Sequence, residues 1–155
     1  MITYRGFFDK FDVWQSTFGK PTKDGNDLLV PAIELWLSGD HPLVQYGQIA
    51  TGIMRFRRVI SSKREVSPYV GDSFGPTVVV DDGPFNLTRK DICESGYFIE
   101  GTITEPHGGV GEWIIKADDF EFECEGVYDL KLIPGGCEYL NYRTIEDAIK
   151  QASAG

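Results

Sequence analysis

The sequence is poor in the residues that usually betray chemistry. It has two histidines and three cysteines in 155 residues. His41 sits in SGDHP and His107 in EPHGG, each beside a proline and an acid, and neither has a ligand partner at metal-binding spacing. Cys93, Cys124 and Cys137 are too few and too widely spaced for a disulfide framework or a zinc knuckle. Cys124 lies between two glutamates, which disfavour a thiolate, so it reads as a core thiol in a reducing compartment. No metal or cofactor is expected.

Other absences narrow the reading further. There is no G-x-S-x-G elbow, P-loop, H-E-x-x-H or C-x-x-C. The glycines at 108, 109 and 111 are not followed by a helical pattern, so no helix N-terminus is at hand for a phosphate. No apolar run is long enough for a membrane helix. The N-terminus, MITYRGFFDKFDVW, is charged early and lacks an apolar leader core, so no signal peptide is expected and the expected location is cytoplasmic. Positive charge is also short. The net charge of −9 opposes the phosphate backbone, so nucleic acid is not an expected partner. The basic stretch MRFRR at 54–58 reads as a strand with a solvated cationic face.

What the chain does have is apolar surface in a β pattern. Hydrophobic residues make up 41% and aromatics 13%, enough for a single domain over 1–155 with a core of its own. Segments 28–37, 48–60, 97–104, 110–116, 118–125 and 127–133 carry strand signals, several with period-two alternation. Ile33, Leu35 and Leu37 are expected on one face, with Pro31 at a sheet edge or bulge. Residues 5–19 fit either a helix or a strand, and the β-rich context favours a strand. Asp24-Gly25 and Asp82-Gly83 suit tight turns. Gly108-Gly109 predicts a hairpin from 97–104 to 110–116, and Gly126 a tight connection to 127–133. Residues 61–76 and 81–96 read as long connections, with a helical turn near 88–94. Thr144 is placed to cap a short helix over 145–152, docked through Ile145, Ala148 and Ile149. The expected fold is therefore mainly β, or β-rich α+β. It is an antiparallel sandwich or partly closed barrel of seven to nine strands with a short C-terminal helix.

Charge is segregated along this frame. Residues 41–64 hold five cations (Arg55, Arg57, Arg58, Lys63, Arg64) and no acid. Residues 91–129 hold eleven acids against one cation, Lys116. In strand 118–125, Phe120, Phe122 and Cys124 take one face while Asp119, Glu121, Glu123 and Glu125 take the other. Same-face neighbours on a strand lie roughly 7 Å apart, so this row needs compensation. Arg55 and Arg57 would supply it if their strand lay alongside. Otherwise the row would recognise a basic protein partner, as small acidic antitoxins and immunity proteins do. Trp36 and Trp113 lie opposite the clearer buried alternation of their strands and would add an apolar anchor if exposed.

Three functions follow as expectations. The first is a non-enzymatic, immunity-like binding protein using Asp119, Glu121, Glu123, Glu125, Trp36 and Trp113. The second is a β-barrel enzyme or small-ligand carrier with a pocket near His41 and His107. The third is a structural subunit of a homo-oligomer, paired through an edge near Pro31.

Overall fold

The structure, a computed structural model, describes residues 1–71, 73–79, 85–93, 96–103 and 108–154. Thirteen strands appear among them: β1 (Ile2–Arg5), β2 (Phe11–Phe18), β3 (Thr22–Asp24), β4 (Asp27–Leu37), β5 (Ile49–Arg57), β6 (Ser61–Val70), β7 (Ser73–Phe74), β8 (Val78–Val79), β9 (Phe85–Cys93), β10 (Gly96–Ile103), β11 (Gly109–Lys116), β12 (Asp119–Ile133) and β13 (Gly136–Thr144). A 3-10 turn (Pro42–Gln45) and one C-terminal helix, α1 (Ile145–Ala154), complete the set. No helix among the described residues is long and apolar enough to cross a membrane.

All strands join one open antiparallel sheet in the order β1-β12-β5-β4-β2-β9-β10-β11-β6-β7, with β13 added to β12, β3 to β4 and β8 to β6. The sheet curls until its halves face each other. Tyr97 on β10 packs edge-on against Phe8 at 4.8 Å and Phe56 at 5.3 Å, although β4, β2 and β9 separate β10 from β5 along the sheet. Phe8, Phe18, Phe56, Phe85, Phe120, Phe122 and Trp113 fill the space between, all essentially buried. Burying an aromatic side chain of this kind stabilises by roughly 1.5–3 kcal/mol, so these rings dominate the cohesion of the fold.

The count of seven to nine strands was too low, and the missed strands have physical reasons. Residues 61–70 form β6, whose inward positions include a charged residue, Arg64, which breaks the apolar alternation. Residues 85–93 form β9 rather than a connection with a helical turn; Lys90 lies over the Phe8 and Phe11 rings there. Residues 136–144 pair only with β12 as a two-stranded arm, so neither face shows a long buried run.

Three local expectations also change. Pro31 is not at an edge, because β4 lies between β2 and β5. It sits where β2 gives way to β3, and its carbonyl accepts Gly19 N–H at 2.8 Å. A register shift between Ala32 and Leu35 then reverses the alternation, so Leu28, Val30, Ala32 and Leu35 are buried while Ile33 is exposed. Gly126 closes no turn. It lies within the continuous strand β12 beside a register shift, and a Cβ there would come within 2.4 Å of the Tyr142 hydroxyl.

Elsewhere the pattern holds. Residues 11–18 are a strand, β10 and β11 pair as expected, and Gly25 with φ 60° closes the β3–β4 hairpin. Thr144 Oγ1 accepts Asp147 N–H at 3.3 Å, capping α1, whose Ile145 and Ala148 are buried. Asp82-Gly83 lies outside the described residues.

Candidate functional site

The acidic row on β12 is flanked by arginines on both sides. β12 lies between β1 and β5, with Arg5 and Arg55 both in register with Glu121 and Arg57 in register with Asp119. Each β5 arginine leans one step along the strand. Arg57 donates from Nε and Nη2 to the two Glu121 carboxylate oxygens at 2.7 and 2.8 Å. Arg5 Nε donates to Glu121 Oε1 at 3.1 Å. Arg55 reaches Glu123 at 3.4 Å, Asp27 at 3.0 Å and Asp24 at 3.2 Å. Glu121 is 3% exposed beneath these side chains. The Arg57 hydrogen bond, reinforced by Arg5, holds its carboxyl below the ordinary range. Asp27 is likewise held low, first by the Arg58 backbone N–H and then by Arg55.

The compensation demanded by the row is thus supplied within the sheet. Asp119 lies 3.8 Å from Arg5, and Glu125 is exposed. The inner face of the same strand is the expected one. Phe120, Phe122 and Cys124 are buried, and burial pushes the Cys124 thiol up to about 12, well clear of reactivity.

The two tryptophans do not form an exposed anchor. Trp36 is half-buried, with its indole N–H directed at Glu34 at 3.4 Å. Trp113 is 1% exposed and belongs to the core, its indole N–H donating to Ser62 Oγ at 2.8 Å. The glycines explain the inward turn. On β11, Gly109 and Gly111 share the inner face with Trp113, so that face carries few side chains for a sequence pattern to register. His41 is also structural. Its ring packs against Tyr4 and Phe7, its Nδ1 accepts Leu43 N–H at 3.0 Å, and burial lowers its pKa to about 4. His107 and Glu105 lie outside the described residues.

A cavity of about 470 Å³ opens at the other end of β4 and β5 from His41. It lies between the β3–β4 hairpin, the β5–β6 connection and the inward faces of β6 and β11. Pro21, Leu28 and Val59 give it apolar wall. Thr22, Asn26, Ser61 and Ser62 contribute hydroxyls and an amide. Lys23 and Arg64 are its cations and Asp27 its acid. Its volume lies within the range of small-molecule sites, roughly 300–1,000 Å³.

Arg64 and Trp113 form the innermost part of the wall. They are direct cross-strand partners on β6 and β11. The guanidinium carbon lies 4.6 Å from the centre of the Phe85 ring and 5.0 Å from that of Trp113. Such contacts are worth up to about 2 kcal/mol when desolvated, against a desolvation cost of several kcal/mol. Behind the cluster Gly101 and Gly111 face each other across β10 and β11, and Phe85 lies on them. A Cβ on Gly101 would come within 2.7 Å of the Phe85 ring and 2.2 Å of Asn86 O; one on Gly111 would come within 2.9 Å of that ring. The bare backbone therefore sets the depth of Phe85, and Phe85 supports Arg64.

This site was missed in the sequence because Arg64 was counted only as one cation of a basic stretch. The available signal was a charged residue two positions before Val66 and two after Ser62 on one strand face. Among the described residues no group of three or more His, Cys, Asp and Glu is placed to hold a metal ion. Comparisons with protein families, with curated proteins and with solved structures give no match to this chain.

Proposed function

We propose that the protein binds a small ligand in the cavity between the β3–β4 hairpin and the inward faces of β6 and β11. The observation that carries this reading is the coincidence of a ligand-sized cavity with an inward arginine stacked on two aromatic rings. Local sequence rules are broken most often where function requires it, and a guanidinium on the core face of a strand breaks one. The pocket replaces the His41 region as the place for a small-ligand carrier.

Recognition of a basic protein partner is the weaker reading. Arg5, Arg55 and Arg57 already engage most of the acidic row, which leaves Glu125 as its exposed member. Pairing of copies through an edge at Pro31 has no edge to use.

The test is a screen of small organic compounds by ligand-observed NMR, run in parallel on the native protein and on Ser61→Trp. Ser61 is exposed and lines the cavity, so the substitution fills the site without touching the core. Compounds bound by the native protein and lost in Ser61→Trp support the reading. Compounds bound equally by both, or none bound at all, overturn it.

A further inference from the structure

Building on the ligand-binding reading above, we infer that the cavity selects a small organic anion, with its charged head toward Arg64 and Lys23 and an apolar or planar body along Val59, Pro21 and Trp113. The shared chemistry is an oxyanion, a carboxylate or a phosphate, on a body that prefers to leave water.

The charge balance of the wall supports this. The protein as a whole carries −9, yet the cavity is lined by two cations and one acid. That acid is committed elsewhere. Asp27 accepts from Arg55 Nη1 at 3.0 Å and from Arg58 N–H at 3.0 Å, and lies 3.5 Å from Arg57. Its charge is met by the outer ion network, so the two lining cations set the sign of the local field. A cleft of one sign with low-dielectric walls concentrates ligands of the other.

Arg64 is also held in place. Two aromatic faces and the cross-strand pairing fix the plane of the guanidinium before any ligand arrives. A planar fork of donors matches carboxylate and phosphate geometry, and a side chain already ordered loses little entropy on binding. Ser62 Oγ, which accepts from the Trp113 indole, keeps its own hydroxyl proton to donate. Pro21, Leu28 and Val59 bring apolar contact to the same space.

The experiment compares two fluorescent dyes with similar aromatic bodies, anionic anilinonaphthalene sulfonate and neutral phenylnaphthylamine, titrated into the native protein at low salt. The anion is expected to bind about tenfold tighter or more, the value of one charge-assisted contact. Lys23 is exposed, so Lys23→Glu is expected to fold and to weaken the anionic dye by about tenfold while leaving the neutral one unchanged. Arg64→Met is expected to weaken it further, with near-ultraviolet circular dichroism reporting whether the core is intact. If that variant does not fold, Lys23→Glu and the salt dependence decide. Displacement of the dye by benzoate or by phenyl phosphate then identifies the preferred head group.

Equal affinity for both dyes, each lost in Ser61→Trp, would sink the anion inference and leave the pocket standing. Dye binding that ignores Ser61→Trp would remove both.

Discussion

Arginines do two different jobs on the two faces of this sheet. On the outer face, Arg5, Arg55 and Arg57 direct their N–H groups at Glu121, Glu123, Asp24 and Asp27. On the inner face, Arg64 lies flat against Phe85 and Trp113 at the wall of a cavity. The outer network is conspicuous in the sequence and is saturated by its own partners. The inner arginine is inconspicuous and is the one that meets a space of ligand size. Abundance of charge is therefore a poor guide to function here, and the placement of a single charge is a better one.

The largest expected effect tests the floor of the inner site. Gly101→Ala should lower stability by about 3 kcal/mol or more, because its Cβ meets backbone at Asn86 and the Phe85 ring together. Thermal or urea unfolding will measure it. A neutral result would mean that the glycine pair does not set the depth of Phe85, and the support proposed for Arg64 would go with it.

Next comes the outer network. Glu121→Gln should cost about 1–2 kcal/mol, the lower part of the range for hydrogen bonds to charged groups, because Arg57 and Arg5 retain access to water. Ligand binding in the cavity should not change. If binding falls with stability held constant, the two faces are coupled and the contrast between them fails.

The acid limb sharpens the same contrast. Glu121 has its pKa lowered from the ordinary 4.5 by Arg57 and Arg5. A lowered carboxyl contributes stability above the unfolded-state value and loses it as pH falls through the folded one. The stability gap between the native protein and Glu121→Gln should thus be full at neutral pH and shrink progressively below 4.5. Denaturant melts from pH 7 down to 3 will follow it, and a constant gap would argue against a carboxylate paired only in the folded state.

The smallest effect belongs to Glu125. It is exposed at the end of the row, so Glu125→Gln should change stability by less than about 0.5 kcal/mol. A larger loss would extend the network one residue further than the hydrogen bonds do.

Much of the fold was legible where alternation survives without interruption. In residues 119–125 the period of two placed Phe120, Phe122 and Cys124 inside and the acids outside, and the same rule placed Met54 and Phe56. Alternation failed where the chain inserts an extra residue. The register shift between Ala32 and Leu35 put Ile33 in solvent, and the one beside Gly126 let a single strand resemble two. It failed again on β6, where the residue carrying the site is the residue that spoils the pattern.

The sequence by itself determined a β-rich antiparallel fold, a capped C-terminal helix and an acidic strand that needed arginine beside it. Those follow from local rules: side-chain period, turn chemistry and repulsion between neighbouring carboxylates. Only the tertiary structure decided which arginines answered that need and which one turned inward. Both depend on strand order, and strand order is fixed by contacts between residues far apart in the chain. β1, the first strand, and β5 flank β12, and the β6–β11 pairing sets Arg64 against Trp113. The acidic strand drew attention through its composition; the cavity beside Arg64 exists because the sheet curls until its two halves share one core.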